Sequence, residues 1–176
     1  YKFDGTTWTR MESFGTKGLS TDSIQAVTSK NGLIYIGTLK GMDVLGDEFR
    51  THVEVTQKGS ITNSVEALMW DDSEGDDEKL ALWIGTHDGI TRISRQAGVM
   101  RKCEPHIKVE GTDFPWPTTP PGIQKSFAFT WKGNPKEGWK DVCPYDGLPG
   151  NAITSLAMDE LNLYIGTDNG ICRIRK

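Results

Sequence analysis

His87 and Asp88 are adjacent residues whose types suit acid–base chemistry, because an imidazole titrates near neutral pH and a carboxylate can orient it. They precede Gly89 in a stretch typical of a tight turn, where neighbouring side chains usually point apart. The sequence contains no Gly-x-Ser-x-Gly, His-Glu-x-x-His or phosphate-loop motif. We therefore predict no catalytic residues.

An acidic run at residues 71–79 is the other stretch with chemical potential, since six of its nine residues are Asp or Glu. Clustered carboxylates are ligands for hard cations such as calcium. The run lacks the Asp-x-Asp-x-Asp-Gly spacing and the terminal glutamate of a calcium loop, and His52 and His106 have no partner at metal-ligand spacing. We predict a solvated acidic loop, no metal site and no cofactor.

The segment around His87 occurs three times, as IYIGTLKGM at 34–42, LWIGTHDGI at 82–90 and LYIGTDNGI at 163–171. Alternating aromatic and β-branched residues favour a half-buried strand. Two variable residues followed by glycine suit a tight hairpin, because glycine adopts positive φ without a steric penalty. Each copy therefore predicts a strand, a turn and a second strand.

A second repeated segment precedes each copy: GLSTDSIQAV at 18–27, GSITNSVEAL at 59–68 and GLPGNAITSL at 147–156. It predicts a turn followed by an inner strand that begins at Ile24, Val65 or Ile153. A four-stranded unit that repeats about every 40–50 residues is typical of propeller blades. We predict an all-β fold, a β-propeller of four-stranded antiparallel blades, which forms either a small ring of about four blades or part of a larger propeller.

These two segments resemble the two-component regulator propeller repeat over about residues 18–70, 80–95 and 147–175. The resemblance implies a β-propeller of a bacterial sensor protein and an extracytoplasmic location, periplasmic or secreted, although no leader is visible. It implies no active site, because the shared residues belong to the scaffold.

In such a propeller, the turns before the inner strands and the turns after Gly-Thr open on one face. Polar residues that differ between units line this face, as expected of a binding site carried by loops on a rigid scaffold. Asp and Asn are also ordinary turn residues, and that alternative stays open. The candidate ligand-binding residues are Asp22, Lys40, Asn63, His87, Asp88, Asn151, Asp168 and Asn169.

We expect residues 1–176 to form one propeller domain or propeller segment. The predicted units are about 18–56, 59–103 with an outer strand at 99–103, and 147–176, completed by a strand from 7–12. The Gly-Thr motifs are 48 and then 81 residues apart, so residues 104–146 hold the excess. We interpret this stretch as a degenerate blade with a proline-rich and aromatic insertion.

The insertion carries prolines that do not suit a central strand, because proline lacks the N–H group that a sheet ladder needs. Residues 127–131 and 139–143 predict a hairpin. Its neighbouring aromatic residues suit a protein-binding surface, since exposed aromatic side chains often mark interfaces. The predicted interface residues are Phe114, Trp116 and Trp131.

Composition excludes several classes of protein. The chain of 176 residues is 36% hydrophobic and 25% charged, with a net charge of −4, and no basic cluster predicts nucleic-acid binding. No apolar run is long enough to span a membrane. Cys103, Cys143 and Cys172 suit buried apolar positions; if one disulfide forms, Cys103–Cys143 would tie the ends of the insertion.

We predict a noncatalytic sensing or scaffolding module that binds a small molecule, a glycan or a protein through its loop face. Further propeller blades are also expected partners. Two alternatives stay open. One is a lyase or hydrolase that uses His87 with Asp88 or Asp168, and the other is a subunit that clamps a larger complex through residues 104–146.

Overall fold

A computed structural model describes residues 1–3, 5–9, 19–46, 50–53, 64–72, 79–96, 107–118, 122–131 and 148–175. All regular structure in these residues is β-strand, arranged in antiparallel sheets of two to five strands. The predicted all-β antiparallel fold is confirmed at this level. Ring closure and the number of blades stay predictions.

The first large sheet follows a short hairpin of β1 (Lys2–Phe3) and β2 (Trp8–Thr9). Its strands β3 (Ile24–Lys30), β4 (Leu33–Thr38), β5 (Gly41–Leu45) and β6 (Arg50–Val53) pair in consecutive order. Asn31 and Gly32 form the first turn with φ of 46° and 80°. Positive φ at both positions is what an Asn-Gly hairpin turn requires.

The second sheet contains five strands in the order β10-β11-β9-β8-β7. These are β7 (Val65–Asp71), β8 (Ala81–Thr86), β9 (Gly89–Ser94), β10 (Ile107–Trp116) and β11 (Gly122–Trp131). Strand β11 pairs with β10 on one side and with β9 on the other. The hairpin of residues 107–131 thus extends the second sheet. Residues 99–103 and 139–143 lie outside the described residues, and the degenerate blade expected over residues 104–146 stays a prediction.

Proline explains why β10 takes the outermost position in this sheet. Pro115 lies in β10, opposite Ile123 of β11, at the edge of the sheet as described. An edge strand tolerates a missing N–H group because one side of the strand makes no ladder bonds. Among the described residues, this position agrees with the expectation that the prolines avoid central strands.

The third sheet contains β12 (Ile153–Met158), β13 (Asn162–Thr167) and β14 (Gly170–Arg175) in consecutive order. We expected a strand from residues 7–12 to complete it. Among the described residues, Trp8 and Thr9 pair with β1 instead, and their pairing partners are Phe3 and Lys2. Residues 10–12 lie outside the described part of the chain.

The three sheets stand side by side, because the inner strand β7 lies beside both other inner strands, β3 and β12. A Cβ atom on Gly37 would lie 2.7 Å from Cγ1 of Val65, and one on Gly85 would lie 2.5 Å from Cγ2 of Ile153. Glycine is therefore needed where the next inner strand approaches. We call this contact, between a Gly-Thr glycine and the first inner-strand residue of the next sheet, the sheet joint.

Two hydrophobic clusters fill the spaces between the sheets. The first joins Tyr35 and Met42 of the first sheet to Val65 of the second, and the second joins Trp83 of the second sheet to Leu163 of the third. Cys172 is buried in the second cluster, as predicted for a small apolar residue. Cys103 and Cys143 lie outside the described residues, and so does the disulfide predicted between them.

The predicted interface residues are part of these clusters. Phe114 and Trp116 are 0% exposed and Trp131 is 4% exposed, so they present no aromatic surface in this fold, and the prediction of an exposed interface is wrong. Tyr35 Oη donates to the carbonyl of Pro115 over 2.8 Å, which ties the proline segment to the first sheet. Because the hairpin pairs with β9, its aromatic side chains point into the chain's own core.

Candidate functional site

The threonine of each Gly-Thr motif fixes the turn that follows it. Thr86 Oγ1 accepts a hydrogen bond from the Asp88 N–H over 3.1 Å and donates to the carbonyl of Gly89 over 3.0 Å. Thr38 and Thr167 make the same pair of bonds in the first and third sheets. Three equivalent turns are thereby held in one conformation, with φ between 116° and 134° at the glycine that ends each.

A β-bulge lies opposite each of these turns, at the second residue of the inner strand. The register shifts between Val65 and Ala67, so Glu66 is the extra residue in β7, and Gln25 and Thr154 hold the same position in β3 and β12. A bulge redirects a side chain and is common beside functional sites. The sequence analysis missed these three polar residues, although their shared position in the repeat was a usable signal.

Glu66 and His87 form the best-developed polar contact on this face. His87 Nε2 lies 3.1 Å from Glu66 Oε1, and the Ser64 hydroxyl donates to the same carboxylate oxygen. The side chain of Glu66 is 17% exposed, while that of His87 is 54% exposed. Ser64 thus fixes the mostly buried Glu66 carboxylate, and about half of the His87 side chain is exposed to solvent.

The third sheet contributes Asn151 to the same place. The N–H of Gly89 donates to the carbonyl of Asn151 over 2.9 Å, so this residue lies against the turn that carries His87. Asn151 Oδ1 is buried and accepts no hydrogen bond within the described residues. A buried acceptor without a partner is uncommon, because losing its hydrogen bond to water costs free energy. Asn151 therefore contributes a buried acceptor without a donor among the described residues, together with a backbone contact to the turn of His87.

Apart from Asp88, the other predicted ligand residues lie in turns separate from that of His87. Asp168 and Asn169 form the turn of the third sheet, where the Asp168 N–H donates to the carbonyl of Ala152 and Asn169 Nδ2 donates to that of Pro149. Asp88 lies in the same turn as His87. Its backbone N–H donates the hydrogen bond to Thr86 Oγ1 that fixes this turn. Exposed Asp22 and Lys40 belong to the first sheet. Asn63 lies outside the described residues.

A second polar cluster lies in the first sheet and was not predicted. The carboxylate of Asp43 is fully buried; it accepts hydrogen bonds from the Ser20 N–H over 2.7 Å, from Ser20 Oγ over 2.8 Å and from His52 Nδ1 over 2.9 Å. In the second sheet, Thr91 and Thr130 occupy the positions that correspond to Asp43 and His52, and their Oγ1 atoms lie 2.7 Å apart. The cluster around Asp43 links β5 to the outer strand β6, so we assign it a structural role.

Neither cluster has its serine, histidine and carboxylate in the hydrogen-bonding order that nucleophilic catalysis needs. An activated serine requires a base within hydrogen-bonding reach of its hydroxyl, with a third group behind the base. In both clusters the carboxylate lies between serine and histidine, and the imidazole is bonded to the carboxylate. No group of three metal-ligating side chains occurs among the described residues. The arrangement suits hydrogen bonding to a bound molecule.

No family model matches the sequence, and no curated protein matches it. The resemblance to the two-component regulator propeller repeat therefore stays a prediction. In the part of the chain that the structure describes, no helix has the length and hydropathy to cross a membrane.

Solved structures do match the chain. Two of them are crystal structures of the extracellular domain of BT4673 from B. thetaiotaomicron, described once as a one-component system and once as a hybrid two-component system. They are 16% and 18% identical to this chain, each with a TM-score of 0.40. The alignments cover 97% and 95% of this chain but 23% and 22% of those chains, so it spans less than a quarter of their length.

Proposed function

We propose that the chain is a segment of an extracytoplasmic β-propeller that acts as a noncatalytic sensing module. In this proposal, a hydroxyl-bearing small molecule or a glycan binds to the loop face between the second and third sheets. The observation that carries it is the partly exposed Glu66–His87 pair, in the turn that the backbone of Asn151 contacts through Gly89. A protein ligand on the same face is the alternative.

The chemistry of these groups favours a ligand with hydroxyl groups. A hydroxyl both donates and accepts hydrogen bonds, so one such group can donate to the carboxylate while a second interacts with the imidazole. The exposure of His87, at 54%, leaves its ring accessible from solvent. Glu66 is fixed by the bulge and by Ser64, so ordering the site on binding costs little conformational entropy.

The propeller part of the proposal is supported by the repeated geometry. The three Gly-Thr segments lie in equivalent strands, each followed by the same threonine-fixed turn, and the inner strands lie side by side. Radial repetition of this kind places equivalent turns on one face around an axis. A sensor with such a face presents several different side chains from one rigid scaffold.

The binding site is tested with arrays of glycans and polar metabolites, followed by calorimetry on each binder. We expect Glu66→Gln to weaken binding about tenfold or more, because a hydrogen bond to a charged acceptor contributes about 1.5–3 kcal/mol. Asp113→Asn is the matched control, since Asp113 pairs with Lys125 at an exposed position on the edge hairpin. Equal affinity of wild type and Glu66→Gln for every binder, or no binder in either array, would contradict the proposal.

A further inference from the structure

A short segment lies between the turns of the second and third sheets. Residues 149–152, which we call the bridge, lead into the inner strand β12. On one side, the carbonyl of Asn151 accepts a hydrogen bond from the N–H of Gly89 in the turn of the second sheet. On the other side, the carbonyl of Ala152 accepts one over 3.0 Å from the N–H of Asp168 in the turn of the third sheet. The bridge therefore fixes these two turns relative to each other.

Gly150 of the bridge makes room for the side chain of Asp168. A Cβ atom on Gly150 would overlap Oδ1 of Asp168 and would lie 3.1 Å from its Cγ, so the carboxylate occupies the space beside the glycine. Gly150 does not have a positive φ, so space rather than backbone conformation requires a glycine there. The corresponding residues of the other two repeats are Thr21 and Thr62, whose branched side chains would fill this space.

The space beside Gly150 gives Asp168 a different direction from its counterpart in the second sheet. His87 holds the same turn position, but it pairs with Glu66 on the bulge of its own sheet. Asp168 lies over the bridge instead, and the next residue of the bridge contacts the turn that carries His87. Among the residues that the structure describes, no group donates a hydrogen bond to the Asp168 carboxylate. Its oxygens are therefore free to accept hydrogen bonds from a ligand.

We propose that Asp168 is a specificity-determining residue of the proposed ligand site and that it selects a ligand with an ammonium group. This inference rests on the proposed function, because it concerns a molecule bound at Glu66 and His87. A carboxylate only accepts hydrogen bonds, and an ammonium group offers several donors together with the opposite charge, whereas a hydroxyl group offers one donor. An amino sugar meets both requirements, since its hydroxyl groups suit Glu66 and His87 and its ammonium group suits Asp168.

Gly150 is then a positioning residue, because it places the carboxylate without contacting the ligand. The atoms that an added methyl group would meet belong to side chains, and the closest is the end of the flexible Asp168 side chain. Gly150→Ala therefore turns the carboxylate away and leaves the backbone of the bridge in place. Leu148 and Ile153, on either side of the bridge, are buried in the second hydrophobic cluster, so the variant keeps its fold.

The test measures, by calorimetry, the affinity for pairs of oligosaccharides in which one member contains glucosamine or galactosamine and the other contains glucose or galactose. Wild type is expected to bind the amino member about fivefold more tightly, since an ammonium–carboxylate contact adds charge attraction to the hydrogen bond. Asp168→Asn is expected to bind both members equally, because the amide carries no charge. Gly150→Ala is expected to lose most of the preference although it retains the carboxylate.

Gly122→Ala is the matched control, because it adds the same methyl group on β11 and should keep the full preference. Glu66→Gln should weaken binding of both members, which tests the proposed function separately. The inference is overturned by equal affinity of wild type for the two members, by a preference that persists in Asp168→Asn or in Gly150→Ala, by its loss in Gly122→Ala, or by binding of neither member. The first three results leave the ligand site at Glu66 and His87 in place.

Discussion

Gly85 shows how one residue of the repeat sets the distance between two sheets. The residue has no unusual backbone conformation; its constraint is space, because Ile153 of the next inner strand occupies the position of a side chain. The repeated motif marked Gly85 as a position that is glycine in all three copies. It could not identify the packing partner, because the contact joins residues 68 positions apart.

We predict that Gly85→Ala lowers the free energy of unfolding by roughly 1–3 kcal/mol, since an added methyl group in a filled core forces side chains and backbone to shift. Gly122→Ala is the control: apart from its chain neighbours, no atom of the described residues lies within 4 Å of a Cβ atom at that position. Its effect should stay within about 0.5 kcal/mol. Urea unfolding followed by tryptophan fluorescence measures both, and equal stability of the two variants would refute the packing role of Gly85.

Glu66 shows what sequence patterns leave out at the scale of a residue. His87 was visible as a candidate because it occupies a variable turn position of the repeated motif, but its partner lies in a different strand. The partnership depends on a bulge, which adds one residue to β7 and turns Glu66 toward the turn. Strict alternation does not predict a bulge, so the side of the sheet that Glu66 occupies could not be read from the sequence.

At the scale of elements, the hairpin between β12 and β13 is organised by a single carboxylate. Asp159 accepts hydrogen bonds from the Leu161 and Asn162 N–H groups and from Tyr164 Oη. These bonds lower the pKa of Asp159 to about 2, with the Leu161 N–H as the largest cause. The bond to the carboxylate in turn raises the pKa of the Tyr164 phenol above its ordinary 10.0.

Asp159→Asn should lower the pKa of Tyr164 toward its ordinary value, because the negative charge that disfavours the phenolate is removed. Ultraviolet absorbance titration of the tyrosines measures this shift. The contribution of Asp159 to stability is complete above its unfolded pKa of about 3.8 and is lost as pH falls toward about 2. An unchanged tyrosine titration, or a stability difference between wild type and variant that persists below this window, would rule out the assigned bonds.

The hairpin of β10 and β11 marks the limit of element prediction. Proline and aromatic residues indicated an insertion outside the central strands, and the edge position of β10 agrees with that. The sequence did not reveal that the hairpin joins β9, because such pairing depends on which edge is free in three dimensions. Trp116 illustrates the consequence: its Nε1 donates to Ser126 Oγ over 2.7 Å inside the core, where an interface had been expected.

At the scale of the whole molecule, the repeat explains why three sheets assemble in one direction. Each internal joint uses a glycine of one sheet and a β-branched residue of the next, so the order of sheets follows the order of the chain. The repeated motifs were sufficient to predict the strand, turn and strand that contain Gly-Thr in each of the three sheets. They did not determine how many sheets complete the assembly, because each internal joint uses the same two positions of the repeat.

The account depends most on the two internal joints, and nuclear Overhauser spectroscopy with labelled isoleucine and valine methyl groups tests them directly. We predict cross-peaks between the Gly85 Hα protons and the Ile153 γ2 methyl group, and between the Gly37 Hα protons and a Val65 methyl group, because these groups are in contact. Cross-peaks within each hairpin but none across either glycine would contradict the side-by-side arrangement of the sheets.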